Sequence, residues 1–263
     1  MAAIRNPARE KLEKGELSLG CGVRLTRSVE IGAAMQSAGF DWLFIDCEHG
    51  TMSLDAAAQI AVAALGAGIA PIVRVPNGEY SMATRVLDNG ALGIVMPHVD
   101  SAEEAAEVVQ KLKYPPVGHR SMGGIGPHYS LRAAKSAEAA AALNAANLTV
   151  VMLETPKAIA NADAIAAVPG VDVLLIGTND LCAEMGIHGD FGNARVTEAY
   201  QTMIAACKKH NKSPGMAGVY NEAIMQRYIE MGARFILAGN DAAFLMASAT
   251  QRSAALRKLH TPM

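Results

Sequence analysis

The sequence predicts an α/β protein of the (β/α)8-barrel (TIM-barrel) class, and three observations predict it. Short, almost continuously apolar runs recur eight times along the 263 residues, with longer amphipathic stretches between them. The runs do not alternate apolar with polar, so they suit strands covered on both faces. Several amphipathic stretches end at a glycine, in LGAG, DNG and EMGAR, where a left-handed residue closes a helix.

In chain order, the strand-like runs begin with LSLGCG (17–22), WLFIDC (42–47), APIVRV (70–75) and GIVMPHV (93–99). LTVVMLE (148–154), VDVLLIG (171–177), GMAGV (215–219) and RFILAG (234–239) follow. Helical periodicity covers 53–66, 79–89, 101–112, 156–167, 194–210, 221–231 and 241–259. A doubly wound sheet rarely needs eight strands so evenly spaced. The rhythm breaks once, at 113–147, where YPPVGHRSMGGIGPHY precedes an alanine-rich helix. A long loop in a compact barrel is expected to be functional or mobile, and 118–130 reads as a cover over the site. Its GGIG (123–126) follows no strand and does not complete a dinucleotide fingerprint; a lid or anion-contacting loop is the remaining reading. No linker or composition shift divides the chain, so a single domain is expected over 1–263, with its core at about 15–260.

Composition narrows the function classes. Hydrophobic residues make up 51% and charged residues 18%, as in a packed core rather than a disordered chain. The net charge is −2 and no basic cluster tracks phosphates, which argues against nucleic acid. The N-terminal MAAIRNPAREKLEKGE lacks a signal-peptide core, and no run is long enough for a membrane span. Cys21, Cys47, Cys182 and Cys207 form no CxxC pair and read as reduced thiols, so a cytoplasmic protein is expected.

In a barrel, catalytic groups gather where strands end. Glu48 and His49 follow the second run, Arg74 ends the third, Glu154 ends the fifth, and Thr178, Asn179 and Asp180 follow the sixth. Glu154 and Asp180 offer hard oxygens suited to Mg²⁺ or Mn²⁺; each also suits the first turn of a helix. IGTNDL (176–181) reads either as an ordinary strand-to-helix turn or as a carboxylate cradle of backbone N–H groups. Arg74 requires an anionic partner, from a substrate or from a structural ion pair. Cys47 alternates away from Glu48 and is expected to pack. His98, His119 and His128 match no zinc spacing, and Asp88 reads as a surface charge. No strand-like run carries a lysine, which argues against imine chemistry.

DWLFIDCEHG, PIVRVP, LDNGALGIVMPHVD, YPPVGHRS, VMLETPKAIAN and VDVLLIGTNDL, in this order, resemble the HpcH/HpaI aldolase family, class II pyruvate aldolases, over about 15–245. The resemblance implies a (β/α)8 barrel, a hexamer whose last helix packs on a neighbour, and a divalent metal, Mg²⁺ or Mn²⁺ with Co²⁺ a further option. It implies metal carboxylates at Glu154 and Asp180, and Arg74 at the pyruvate oxygen. It also implies His49 as acid/base with Asp88 as its partner, and a pyruvyl-carboxylate cradle at Gly177, Thr178, Asn179 and Asp180. The sequence departs from the family at Met152, where a glutamine is common, and in 121–147, differences that bear on aldehyde specificity. The implied reaction is reversible cleavage of a 4-hydroxy-2-oxo acid to pyruvate and an aldehyde. A CoA-ester lyase of the citrate lyase β type and a non-catalytic acid-binding barrel are the competing readings.

Overall fold

The structure is a computed structural model describing residues 4–124 and 126–259. Eight parallel strands close into a barrel in strict chain order. They are β1 (Ser18–Val23), β2 (Trp42–Asp46), β3 (Ala70–Arg74), β4 (Gly93–Met96), β5 (Leu148–Leu153), β6 (Val173–Gly177), β7 (Ser213–Ala217) and β8 (Phe235–Asn240). The expected fold class is thus found, with strand limits moved by at most two or three residues. β4 stops before Pro97, which has no N–H to donate, and His98 then takes a left-handed φ of 51°.

The helices are α1 (Pro7–Glu13), α2 (Ile31–Ser37), α3 (Leu54–Ala67), α4 (Tyr80–Asp88), α5 (Ala102–Leu112) and α6 (Ser136–Ala146). Then come α7 (Pro156–Ala160), α8 (Ala162–Ala167), α9 (Thr178–Glu184), α10 (Ala194–Lys209), α11 (Glu222–Met231) and α12 (Asp241–Arg257). The expected helix 156–167 is two short ones that meet at Asn161, whose amide donates to the Asp100 carbonyl at 2.8 Å. α1 and α2 escaped the periodicity because seven residues span barely two turns.

Period-two alternation sorts the strand residues into two cores. Trp42, Phe44, Ile72, Val150, Met152, Leu175 and Phe235 fill the barrel interior. Their neighbours Leu43, Ile45, Val73, Val151, Leu174 and Ile236 face the helices. Inside, Trp42 stacks on Phe235 with centroids 4.0 Å apart, and Gly20 gives the indole room, since a Cβ there would fall 2.2 Å from it.

The same alternation continues past the apolar layers. The inward positions Trp42 and Phe44 lead to Asp46, and Ala70 and Ile72 lead to Arg74. Val150 and Met152 lead to Glu154, and Gly20 and Gly22 to Arg24. Polar side chains therefore replace apolar ones where the strands reach the mouth.

One connection fixes the mouth further. Asp241, at the start of α12, accepts from the backbone N–H groups of Arg24 (3.1 Å), Leu25 (3.0 Å) and Thr26 (2.6 Å) in the turn after β1. Burial pushes this carboxyl up, but the N–H donors outweigh burial and hold it below the usual range. A depressed carboxylate stabilises the fold above its unfolded pKa and loses that contribution as pH falls through the folded value.

The 113–135 connection lies at the other end of the barrel. It joins the end of α5 to α6 and the start of β5, as every helix-to-strand loop does on the face away from strand ends. Gly123 and Gly126 pack against Asp88 at the end of α4, and His128 Nε2 lies 3.0 Å from the Ala91 carbonyl oxygen. The expected cover over the site is therefore corrected: within one chain this loop is at the far end. Ile125, part of the GGIG stretch, lies outside the described residues.

Asp241→Asn should cost about 2 kcal/mol in urea denaturation at pH 7, since it sets an amide against buried N–H donors. The gap to wild type should close below about pH 4; a gap undiminished at pH 3 would contradict this.

Candidate active site at the mouth of the barrel

A cavity of about 230 Å³ opens at the strand ends, lined among others by Arg24, Asp46, His49, Arg74, Gly177 and Asp180. Asp46 organises one side. Its carboxylate accepts from Arg74 Nε at 3.0 Å and Arg74 Nη2 at 2.7 Å, a two-point pair set by the Asp46–Arg74 register of β2 and β3. Asp46 Oδ1 also accepts from the backbone N–H groups of Glu48 (3.1 Å) and His49 (3.2 Å), so it shapes the turn that carries His49. Burial alone would raise the Asp46 carboxyl; the Arg74 bond and charge, with the two N–H donors, hold it below the usual range.

Arg74 Nη1 lies 3.0 Å from Glu48 Oε2. A guanidinium has five N–H donors; two are hydrogen-bonded to Asp46, and donors on Nη1 and Nη2 remain beside Glu48 and the cavity. Its charge is secure, because burial is outweighed by Asp46 and by the nearby Glu48 and Glu154. Of the two sequence readings, the structural ion pair is the one found, and it leaves Arg74 lining the cavity.

Glu154, just past β5, is buried behind Gly177 of the cavity wall. Its Oε2 accepts from the His98 N–H at 2.8 Å, with His98 Nδ1 at 3.4 Å. Gly177 gives it room: a Cβ there would fall 2.6 Å from Glu154 Oε1. Burial pushes this carboxyl up to about 7; His98 pulls against that, while Asp180 and Glu48 add repulsion. A buried carboxylate crowded by two others fits a cation. Asp180 stands exposed at the cavity. Among the described residues no three His, Cys, Asp or Glu side chains gather as a metal cage, so these two carboxylates would leave positions for water and substrate. Glu154 and Asp180 thus fit a hard divalent ion.

The remaining expected residues divide. His49 lines the cavity with its ring 55% exposed, and its Nε2 lies 3.9 Å from Glu48 Oε2. Thr178 is buried, its hydroxyl donating to the Ala217 carbonyl at 2.7 Å and lying 2.8 Å from the Tyr200 hydroxyl, so only its backbone faces a ligand. Gly177, Asn179 and Asp180 line the cavity. Cys47 packs partly buried against the outer core, and burial pushes its thiol up to about 11, which suits packing rather than nucleophilic work.

Asp88 is not brought to His49. It ends α4 at the far face and accepts from Arg120 Nη2 at 2.5 Å. The three histidines are also dispersed: His98 beside Glu154, His119 and His128 in the far loop. Sequence reasoning missed Arg24, Tyr220 and Asn240, all at the mouth. Period-two counting beyond β1 would have found Arg24; Tyr220 sits in a loop that carries no such period.

The sequence profile of the HpcH/HpaI aldolase/citrate lyase family matches residues 27–247. A 4-hydroxy-4-methyl-2-oxoglutarate aldolase from Hapsidospora irregularis is 41% identical over 98% of this chain and 97% of its own length. A 5-keto-4-deoxy-D-glucarate aldolase from Klebsiella pneumoniae is 33% identical over 96% of this chain and 97% of its own. The crystal structure of an HpcH/HpaI aldolase from Desulfitobacterium hafniense superposes with a TM-score of 0.91 at 29% identity, covering 99% of this chain and 100% of that one. Near-complete coverage by aldolases, joined to a barrel mouth holding a paired arginine and two carboxylates, makes the chemistry carbon–carbon bond cleavage: this chain belongs to the HpcH/HpaI aldolase/citrate lyase family.

Proposed function

We propose that this chain is a class II pyruvate aldolase that cleaves a 4-hydroxy-2-oxo acid to pyruvate and an aldehyde or oxo fragment, with Mg²⁺ or Mn²⁺ held by Glu154 and Asp180. The observation that carries the reading is an Arg74 held at two points by Asp46 with N–H donors left over at the cavity, and a Glu154 carboxyl buried among other carboxylates behind the cavity wall. The relatives' names carry the oxo acids 4-hydroxy-4-methyl-2-oxoglutarate and 5-keto-4-deoxy-D-glucarate, which favours an oxo-acid substrate over a CoA ester.

The bound metal would supply Lewis acidity to the 2-oxo group. The backbone of Gly177 to Asp180 holds the pyruvyl carboxylate. The Arg74 N–H donors not bonded to Asp46 face the 2-oxo oxygen, where negative charge grows as the C3–C4 bond breaks. They are already fixed by Asp46 and Glu48, so little reorganisation is needed. His49 takes the proton from the 4-hydroxyl and returns one to C3. An imidazole can accept a proton at one step and donate it at the next, so one side chain serves both directions.

Asp88 lies at the far end of its own barrel, so a His49–Asp88 pair requires two copies of the chain. That requirement agrees with the proposed hexamer. So does α12, whose Phe244, Leu245, Met246 and Leu256 are exposed and available to a neighbouring subunit. No helix among the described residues is long and apolar enough to cross a membrane, and we place the enzyme in the cytoplasm.

Pyruvate release from 4-hydroxy-2-oxoglutarate should stop with EDTA and return with Mg²⁺ or Mn²⁺, and activity indifferent to chelation would sink the reading. His49→Ala should lose about 10²- to 10⁴-fold in kcat while still binding metal. Gly177→Ala should weaken Mn²⁺ binding by at least about tenfold in calorimetry without changing the circular dichroism spectrum, because its methyl displaces the Glu154 carboxylate; unchanged affinity would remove Glu154 from the metal site. Light scattering should give six chain masses, and a monomer would exclude the shared site.

A further inference from the structure

Arg24 stands at the cavity with no role in the chemistry above. Its side chain is 49% exposed, and its Nε lies 3.3 Å from Asp46 Oδ2. Among the described residues its guanidinium makes no hydrogen bond. Asp46 does not depend on it, because Arg74 already pairs both of its oxygens. A half-exposed ion pair at this distance contributes little to stability.

Yet the backbone beneath Arg24 is firmly held. The Asp241 carboxylate collects the N–H groups of residues 24, 25 and 26. Arg27 donates to the Arg24 carbonyl at 2.9 Å and to Thr51 Oγ1 at 3.0 Å, tying this turn to the one after β2. Gly22, the preceding inward position, packs closely on β8, since a Cβ there would fall 2.9 Å from Asn240 Cβ, so the strand beneath the turn is held as well. Tyr220, on the same rim, is close enough to feel both Arg24 and Arg74. A fixed turn therefore presents a guanidinium with free Nη donors to the cavity shared with His49.

The pyruvyl half of the substrate already has its partners in Arg74, the Gly177–Asp180 turn and the metal carboxylates. We propose that Arg24 binds a carboxylate on the other fragment, making this enzyme selective for dianionic 4-hydroxy-2-oxo diacids over acids with a neutral tail. The inference rests on the aldolase reading and adds a specificity-determining residue to it. Arg24 acts on the fragment beyond C4. Asp241 is its positioning residue, holding the turn so that the fork-shaped donor pair meets a planar carboxylate without prior ordering.

The test compares pyruvate release from 4-hydroxy-2-oxoglutarate and 4-hydroxy-2-oxopentanoate, which carries a methyl group in place of the second carboxylate. Wild type should favour the diacid, and Arg24→Gln should cut the ratio of the two kcat/KM values by about 10- to 100-fold, mainly through KM for the diacid. Arg24→Lys, which keeps the charge but not the fork, should retain part of the ratio. A ratio within twofold of wild type in Arg24→Gln, or a wild type that prefers the pentanoate, overturns the proposal while leaving the aldolase reading intact. No pyruvate from either acid with Mg²⁺ or Mn²⁺ overturns the aldolase reading itself, and the proposal with it.

Discussion

The carboxylate of Asp46 is the interaction on which the rest of the mouth depends. It is buried, yet stays ionised because Arg74 grips both oxygens and two backbone N–H groups point at one of them. Removing one partner of such a buried pair costs about 3–5 kcal/mol, because the other charge is left unmatched. The same carboxylate thus aims the arginine, bends the turn that carries His49, and lies within reach of Arg24. Two groups proposed to act on the substrate, Arg74 and His49, take their positions from one side chain that acts on none of it.

The barrel supplies this arrangement through alternation. Inward positions are apolar through the interior, where Trp42, Phe44 and Phe235 exclude water, and become charged only at the last register before the mouth. The apolar floor matters to the chemistry above it. Charges set over a dry interior are screened less than charges in water, so Arg74 acts strongly on a developing oxyanion. The same dryness outweighs the His98 contacts at Glu154, and its carboxyl is pushed up to about 7.

The legibility of all this in the sequence follows physical lines. Strands buried on both faces are continuous apolar words, and all eight were readable. α2 was not, because seven residues give periodicity too little room. Glu154, Asp180, Arg74 and His49 were readable as polar residues just where such words stop. The far-end placement of the 113–135 loop and of Asp88 was readable too, since each lies on the return from a strand's helix to the next strand, but the loop's length and glycines drew it toward the site. Asp241 was hidden for a different reason: its partners are backbone N–H groups some 215 residues away, which no local pattern announces.

The central claim is that this mouth stabilises the enolate of pyruvate. Proton exchange at pyruvate C3 in D₂O, followed by NMR, tests it most directly, because it needs only the pyruvyl half of the site and no knowledge of the natural second fragment. The account predicts exchange that requires added Mg²⁺ or Mn²⁺, stops with EDTA, and falls steeply in Arg74→Lys, where the two-point pair with Asp46 is lost. Pyruvate whose C3 protons stay unexchanged with metal-loaded enzyme, or exchange as fast without metal, would contradict it.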